Sequence, residues 1–272
     1  MKRIGLLGCG AIGTQIAIAI DTGTITAQLT HIFDTDKKNA ENLVTKLKQK
    51  PIIVENVHLL SSNPVDLIVE AASQQAVSDN ALSILQNRRD LMIMSAGALL
   101  DESVFEIISD ACKEFKKTVY LPSGAISGLD AIKSVRNELE SVTITTTKHP
   151  RSLKGAKFFE TVDLDLDSIS ETTTIFEGTA SEAVRLFPKN VNVSALLSLA
   201  GLGSHETIVK VVADPNIDKN IHRIESKGKF GKISTTVENI PDVNNPKTSR
   251  LAILSAIETL RSICSDGIKI GT

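Results

Sequence analysis

Short apolar runs alternate with longer amphipathic segments over the first half of the chain. Five runs dominated by aliphatic residues end at a turn or at a polar side chain, at positions 4–7, 28–33, 65–69, 91–94 and 119–121. Between them, residues 36–49, 74–87 and 101–115 have apolar positions at helical spacing. Near-continuous apolar strands that alternate with helices predict a doubly wound parallel sheet of the α/β Rossmann type, covered by helices on both faces.

The pattern changes after about residue 141, where β-prone and alternating segments replace the buried runs. Strands are predicted at 142–147, 207–212 and 232–237, and at 162–169, where Val162, Leu164 and Leu166 alternate with polar residues. Helices are predicted at 180–187, 191–199 and 249–264. Strict alternation is typical of a sheet with one solvated face, so a second, α+β domain with a mixed or antiparallel sheet is expected.

These patterns predict two domains, which a chain of 272 residues is long enough to form. Residues 1–140 form the predicted Rossmann domain and residues 141–246 the α+β domain. A C-terminal helix at 247–264 is a candidate to return to the first domain.

Composition narrows the classes of partner. The 30 basic and 32 acidic residues leave a net charge of -2, which gives no reason to expect nucleic acid or an anionic membrane surface. We expect neither a signal peptide nor a membrane span, because no apolar stretch has the required length and flanks. The three cysteines, Cys9, Cys112 and Cys264, are far apart, which predicts reduced thiols in the cytoplasm rather than disulfides or a metal site.

A GxGxxG motif directly follows the first predicted strand and opens an amphipathic segment; its residues are Gly8, Cys9, Gly10, Ala11, Ile12 and Gly13. The first glycine permits a tight turn, the second lets a pyrophosphate approach the backbone, and the third lets the helix pack closely on the strand. The pyrophosphate would lie at the helix N-terminus, where free N–H groups and the dipole favour anions. The motif predicts a dinucleotide site; the alternative is a purely structural turn.

Asp34 ends the second predicted strand, where an acidic residue binds the adenosine ribose hydroxyls of a dinucleotide. Its carboxylate would repel a 2′-phosphate, so NAD is the expected cofactor. Lys37 and Lys38 follow closely and could attract such a phosphate, which leaves NADP possible, although solvated positions in a helix explain them more simply. A flavin competes as a ligand for this motif, but nothing else in the chain indicates a flavin site.

Two segments of the second half carry a more specific signal than the glycine motif. They are YLPSGAISGLD at residues 120–130 and FPKNVNVSA at residues 187–195. Together with the glycine motif, the later Asp214-Pro215 pair, Asn220 and His222, they resemble the L-aspartate dehydrogenase family from the first glycine to at least His222.

The resemblance implies an NAD- or NADP-dependent enzyme that interconverts L-aspartate with iminoaspartate, or with oxaloacetate and ammonia after hydrolysis. It implies that Ala125 and Asn192 contact the cofactor and that His222 is catalytic. It also implies a homodimer, with the open sheet of the second domain as a plausible interface. The family further admits a role in NAD synthesis, in which the imine is passed on before it hydrolyses.

The chemistry of these residues agrees with such roles. Ala125 lies among small residues that would let a nicotinamide ring approach the backbone. Asn192 can donate and accept hydrogen bonds to a ribose or carboxamide, although it could equally serve as a helix N-cap. His222 suits general acid–base work because histidine ordinarily titrates near neutrality, and His149 and His205 are the other candidates.

A substrate with two carboxylates calls for cationic donors near the reacting carbon. Lys148, Arg151 and Lys189 are the candidates. A solvated position is the simpler explanation for each of them, and the sequence alone does not select one.

Two other functions stay open at this point. One is another small-substrate oxidoreductase, related to homoserine dehydrogenase or to dihydrodipicolinate reductase. The latter is expected to have paired histidines, which this chain lacks, and residues 128–133 resemble only part of the former. The other is a non-enzymatic NAD-responsive binding protein, against which the presence of His222 and of the SGA segment at 123–125 counts.

Overall fold

The computed structural model describes residues 1–187, 192–242, 248–268 and 270. The chain divides into two compact units, one of Met1–Pro122 with Ile253–Ile270 and one of Ser123–Ala252. The chain therefore enters the second unit at Ser123, before the boundary at residue 140 that the sequence pattern predicts.

The first unit is built on a parallel sheet, with strands β1 (Lys2–Leu7), β2 (Ala27–Phe33), β3 (Ile52–Ile53), β4 (Leu67–Glu70), β5 (Asp90–Ile93) and β6 (Val119–Tyr120). All neighbouring strands are parallel and their order is β3-β2-β1-β4-β5-β6. This is the Rossmann strand order, which confirms the predicted fold class. In such sheets ligands bind beyond the carboxyl ends of the strands, where the order reverses between β1 and β4.

Helices follow the strands of the first unit: α1 (Ala11–Asp21), α2 (Lys37–Lys46), α3 (Val57–Ser62), α4 (Gln74–Gln86) and α5 (Glu102–Phe115). The side chains of Asp36, Asn56, Ser73 and Asp101 accept backbone N–H groups and so cap four of these helices. Helix α1 begins at Gly10, where no side chain caps it. Its first turn is thus the one left available for a ligand.

The second unit carries a five-stranded sheet of β7 (Leu139–Lys148), β8 (Thr173–Thr179), β9 (Thr207–Ala213), β10 (Asn220–Gly228) and β11 (Gly231–Asn239). The order is β11-β10-β7-β9-β8, and β7 and β9 are parallel while the other pairs are antiparallel. The sheet is therefore mixed. The helices of this unit are α6 (Leu129–Ser134), α7 (Pro150–Leu153), α8 (Ala180–Leu186) and α9 (Asn192–Ala200).

Two segments of the second unit differ from the sequence prediction. The strand predicted at 162–169 is wrong, since Leu166–Ser168 forms a 3-10 turn and the strand comes later, at β8. Asp165 explains the difference because its side chain accepts the N–H of Asp167 at 2.9 Å and so favours a turn. Strand β10 is not predicted by the sequence pattern, although it carries His222.

The C-terminal helix α10 (Arg250–Cys264) joins the first unit from Ile253 onward. Its Ala256 and Leu260 are fully buried in the same apolar core as Ile16 and Leu43. The helix therefore contributes to the core beneath the parallel sheet. No described helix, including this one of 15 residues, is long and apolar enough to cross a membrane.

Candidate functional site

The turn after β1 requires a glycine at its first position. Gly8 has a φ of +99°, in the left-handed region, and its N–H donates to the Phe33 carbonyl at 2.8 Å. A Cβ on Gly8 would lie 2.6 Å from the carbonyl oxygen of Ala71, which is closer than real Cβ contacts. The turn is thus packed between the ends of β2 and β4.

The other two glycines of the motif meet different surroundings. A Cβ on Gly13 would lie 2.0 Å from the Gly8 carbonyl oxygen, so α1 packs against the turn at a distance that only glycine allows. A Cβ on Gly10 would meet no heavy atom of the described residues within 4 Å. Gly10 also begins α1 without a side-chain cap, and Ala11 and Ile12 form the first turn beside it. This open helix N-terminus suits an anionic group such as a pyrophosphate.

The structure brings Asp34 directly to the glycine motif. Its Oδ2 accepts the Cys9 N–H at 2.7 Å, and its Oδ1 accepts the Asp36 N–H at 2.8 Å. Burial, together with the Asp34 charge, raises the pKa of the Cys9 thiol to about 12, so the thiol stays protonated. Lys37 is exposed and lies 3.7 Å from Glu41, as expected of a solvated position in α2.

Glu70 is a residue of this region that the sequence analysis did not select. Its side chain is buried at the end of β4, and Oε1 accepts the Ala72 N–H at 2.7 Å and the Ser95 hydroxyl at 2.8 Å. Oε2 accepts the N–H groups of Met94 and Ser95. Burial raises the pKa of this carboxyl, while the four hydrogen bonds act in the opposite direction. Glu70 thus joins the ends of β4 and β5 next to the glycine motif; the only sequence signal is an acidic residue ending an apolar run.

In the second unit, His222 lies on β10 directly opposite Thr146 of β7. Its Nδ1 is 3.0 Å from Thr146 Oγ1, and the side chain is buried. Burial and, after it, the charge of Lys148 lower the pKa of the imidazole to about 3. The expectation that His222 titrates near neutrality is therefore wrong for the protein without ligands, in which the ring is neutral. With Nδ1 engaged by Thr146, Nε2 is the atom through which the ring can take a proton from water.

The other candidate histidines and cations have different surroundings. His149 precedes α7, and its Nδ1 accepts the Arg151 N–H at 3.2 Å as a helix cap. His205 and Arg151 are exposed. Lys148 is buried, with 3% of its surface exposed. Lys189 lies outside the described residues, as does the start of the predicted helix at 191.

The two cofactor contacts implied by resemblance belong to the second unit. The Ala125 carbonyl accepts the Asn239 side-chain N–H at 2.9 Å, and Asn239 pairs in register with Asn220 of β10. Asn192 is the first residue of α9, and its Oδ1 is buried without a hydrogen-bond partner among the described residues. A buried amide oxygen without a donor is costly, and a ribose hydroxyl or carboxamide N–H would satisfy it.

Each unit thus offers groups that fit part of a dinucleotide. The first has the open helix start at Gly10 with the Asp34 carboxylate beside it, and the second has the Asn192 oxygen, which lacks a partner among the described residues. Among the described residues, no group of three or more side chains could hold a metal ion.

Comparison with known families divides the chain in the same way as its fold. Residues 130–263 match the model of the aspartate dehydrogenase C-terminal domain, and residues 8–122 match that of the NAD-binding domain of homoserine dehydrogenase. The L-aspartate dehydrogenase of Nitrosopumilus maritimus is 67% identical, with 100% of both chains covered. That of Methanocella arvoryzae is 48% identical over 100% of both chains. The chain belongs to the L-aspartate dehydrogenase family.

Solved structures support this membership at the level of the fold. The crystal structure of aspartate dehydrogenase from Thermotoga maritima is 28% identical and has a TM-score of 0.77, with 99% of each chain covered. A scyllo-inositol dehydrogenase from Lactobacillus casei, with bound NAD(H) and scyllo-inositol, has a TM-score of 0.58 at 13% identity and shares the fold alone. It covers 96% of this chain and 88% of its own. The likeness to homoserine dehydrogenase is confined to the NAD-binding part, whereas the second unit is that of the L-aspartate dehydrogenase family.

Substitution of Gly10 tests the pyrophosphate position. Gly10→Val would place a branched side chain in the open space at the N-terminus of α1, so we expect NAD binding to be lost in calorimetry. Because a Cβ there meets no atom of the described part of the chain, the stability cost should stay within about 1 kcal/mol, the range of a poorer N-cap.

Gly13→Ala is the matched comparison. Its Cβ would overlap the Gly8 carbonyl oxygen, so we expect a clear fall in the melting temperature. Unchanged NAD affinity in Gly10→Val would show that this loop does not bind the pyrophosphate.

Substitution of Asp34 tests the ribose contact. Asp34→Asn removes the charge but keeps an oxygen that can accept the Cys9 N–H. We expect NAD affinity to fall by about tenfold and the NAD-to-NADP affinity ratio to shrink, since hydrogen bonds to charged groups contribute roughly 1.5–3 kcal/mol. Asp34→Ala should in addition lower the stability of the loop. A ratio equal to that of the unmodified protein in both variants would exclude Asp34 as the discriminating residue.

Proposed function

We propose that the chain catalyses the NAD-dependent interconversion of L-aspartate and iminoaspartate, which water converts to oxaloacetate and ammonia. The observation that carries this proposal is the buried His222, which contacts Thr146 on the same sheet whose Asn239 donates to the Ala125 carbonyl. The names of relatives 67% and 48% identical over the whole chain support the choice of L-aspartate as substrate.

Different residues of the chain would bind different parts of the cofactor. Gly8, Gly10 and Gly13, with Ala11 and Ile12, would receive the pyrophosphate, and Asp34 would bind the adenosine ribose. Ala125 and Asn192 would contact the nicotinamide side. When bound, NAD supplies the acceptor for the hydride from C2 of aspartate.

His222 would act on the water that hydrolyses the imine. In the tautomer whose Nδ1–H donates to Thr146 Oγ1, neutral imidazole accepts a proton through Nε2 as the water oxygen adds to C2 of protonated iminoaspartate and gives the carbinolamine. In the reductive direction the protonated ring returns that proton to the hydroxyl leaving C2 of the carbinolamine, which regenerates water and the protonated imine. A histidine must be neutral to act as a base, and burial favours the neutral form of His222.

We also infer that NAD is preferred over NADP, because Asp34 lies at the glycine motif.

The three free thiols fit a reducing compartment such as the cytoplasm, which cell fractionation would test. The family resemblance supports delivery of iminoaspartate to NAD synthesis. An assay in which an imine-consuming enzyme competes with hydrolysis would test that delivery.

A homodimer is the assembly we propose, through the more open face of the second sheet. On that face Thr143, Thr145 and Thr147 of β7 and Ile221 of β10 are partly exposed, and Arg223 is exposed. Threonine and isoleucine suit a sheet face that is covered on assembly. Sedimentation at micromolar concentration should give twice the chain mass of 29.2 kDa, and a species of one chain mass would exclude the dimer.

Substitution of His222 tests the proposed reaction. His222→Ala should lower kcat for reductive amination of oxaloacetate by about 10²–10⁴, the usual contribution of a general acid–base group. NADH affinity should change little, because the pyrophosphate and adenosine contacts lie on other residues. The measurement is NADH oxidation with oxaloacetate and ammonia, beside a panel of other keto acids.

His205→Ala is the matched control, since His205 is exposed before β9. We expect it to retain full activity. Loss of turnover in His205→Ala with an active His222→Ala would overturn the catalytic assignment, and a wild-type preference for another keto acid would overturn the substrate.

A further inference from the structure

Lys148 occupies an unusual place for a lysine, at the buried end of β7. It follows Thr146 by two residues, so alternation along the strand places both on one face of the sheet. Thr146 pairs with His222 in the antiparallel register, which puts His222 on that face too. The same register sets Ile221 opposite Thr147, the residue between Thr146 and Lys148, so β10 runs beside β7 up to the position next to Lys148.

The rest of this sheet face is mostly aliphatic and includes buried Val142, Ile144, Val209, Val211 and Ile224. Two buried hydroxyl residues, Thr207 and Ser226, stand opposite Val142 at the other end of the strands. The larger group of buried polar residues lies at the end where β7 finishes: Thr146, Lys148, Asn220, His222 and Asn239. An ammonium group loses much of its hydration in such a position and gains most from contact with an anion.

Lys148 also lies near the proposed base. Its charge is the second cause, after burial, of the low pKa of His222, so the ammonium acts electrostatically on the imidazole. The reacting carbon would lie beside His222, and each carboxylate of aspartate is within two bonds of that carbon. A group close to His222 is therefore well placed for a carboxylate.

We propose that the Lys148 ammonium binds a carboxylate of the substrate beside His222 and so selects acidic substrates, a role that rests on the function proposed above. Of the other two cations named from sequence, Arg151 is exposed on α7 and Lys189 lies outside the described residues. Lys148 is buried, lies on the same face of the sheet as His222, and acts on His222 through its charge. The ligand class is a small dicarboxylate.

The test is steady-state reductive amination by Lys148→Met, which keeps the length of the side chain and removes its charge. The KM for oxaloacetate should rise about 10- to 100-fold, as expected for the loss of one charge-assisted hydrogen bond. The KM for NADH should stay unchanged. Succinate, a dicarboxylate that cannot react, should inhibit the wild type competitively against oxaloacetate, and its inhibition constant should rise by the same factor in the variant.

Lys154→Met is the matched control, because Lys154 is half-exposed and pairs with Asp167 at 2.7 Å away from the strands. It should keep the wild-type constants. If Lys148→Met does not fold, as judged by NAD binding in calorimetry, Lys148→Gln provides the same comparison.

Unchanged KM and succinate inhibition in a folded Lys148 variant would overturn the proposal. A fall in kcat alone would also overturn it, since the residue would then act on His222 without holding the carboxylate. If either result is obtained while the wild type is active, the role proposed for Lys148 is refuted and the proposed aspartate reaction is not. A wild type that does not reduce oxaloacetate with ammonia refutes the proposed function itself.

Discussion

The hydrogen bond from the Cys9 N–H to the Asp34 carboxylate joins the glycine motif to the end of β2, the two parts of the first unit that we propose to bind the cofactor. It is possible because β1 and β2 are parallel and in a register that sets Leu7 opposite Phe33, so both strands end at the same edge. A shift of one residue would turn every side chain to the other face of the sheet and separate the carboxylate from the loop. Glu70 adds a second tie at the same edge, between the ends of β4 and β5.

The second unit also holds its candidate residues at one end of a sheet, but it does so within a buried and mostly aliphatic face. Its buried sheet face is mostly aliphatic, and most of its buried polar residues lie at the end where Thr146 contacts His222. Grouping polar side chains lowers the cost of burying them, because a polar atom can then find a partner nearby. At the other end of this face the hydroxyls of Thr207 and Ser226 have no hydrogen-bond partner among the described residues, and the same holds for the Asn192 oxygen on α9, which a ligand would satisfy.

Local patterns in the sequence were enough to predict the Rossmann strands, the glycine motif and Asp34, because each depends on residues close together in the chain. Partnerships across strands could not be predicted in this way. Thr146 and His222 are 76 residues apart and meet only through the register of β7 with β10. Strand β10 itself was missed because polar and charged residues occupy most of its positions, and the false strand at 162–169 arose from apolar alternation that the Asp165 turn overrides.

The fold by itself does not determine the chemistry of this chain. A scyllo-inositol dehydrogenase that binds a neutral polyol shares the architecture at 13% identity. The substrate that this chain binds must therefore be selected by side chains on the common backbone. The end of the sheet face at β7 and β10 is a suitable place for such variation, because exchanging a side chain there alters charge and proton transfer without moving a strand. The aliphatic part of the same face keeps the strands packed, so the site can change while the core does not.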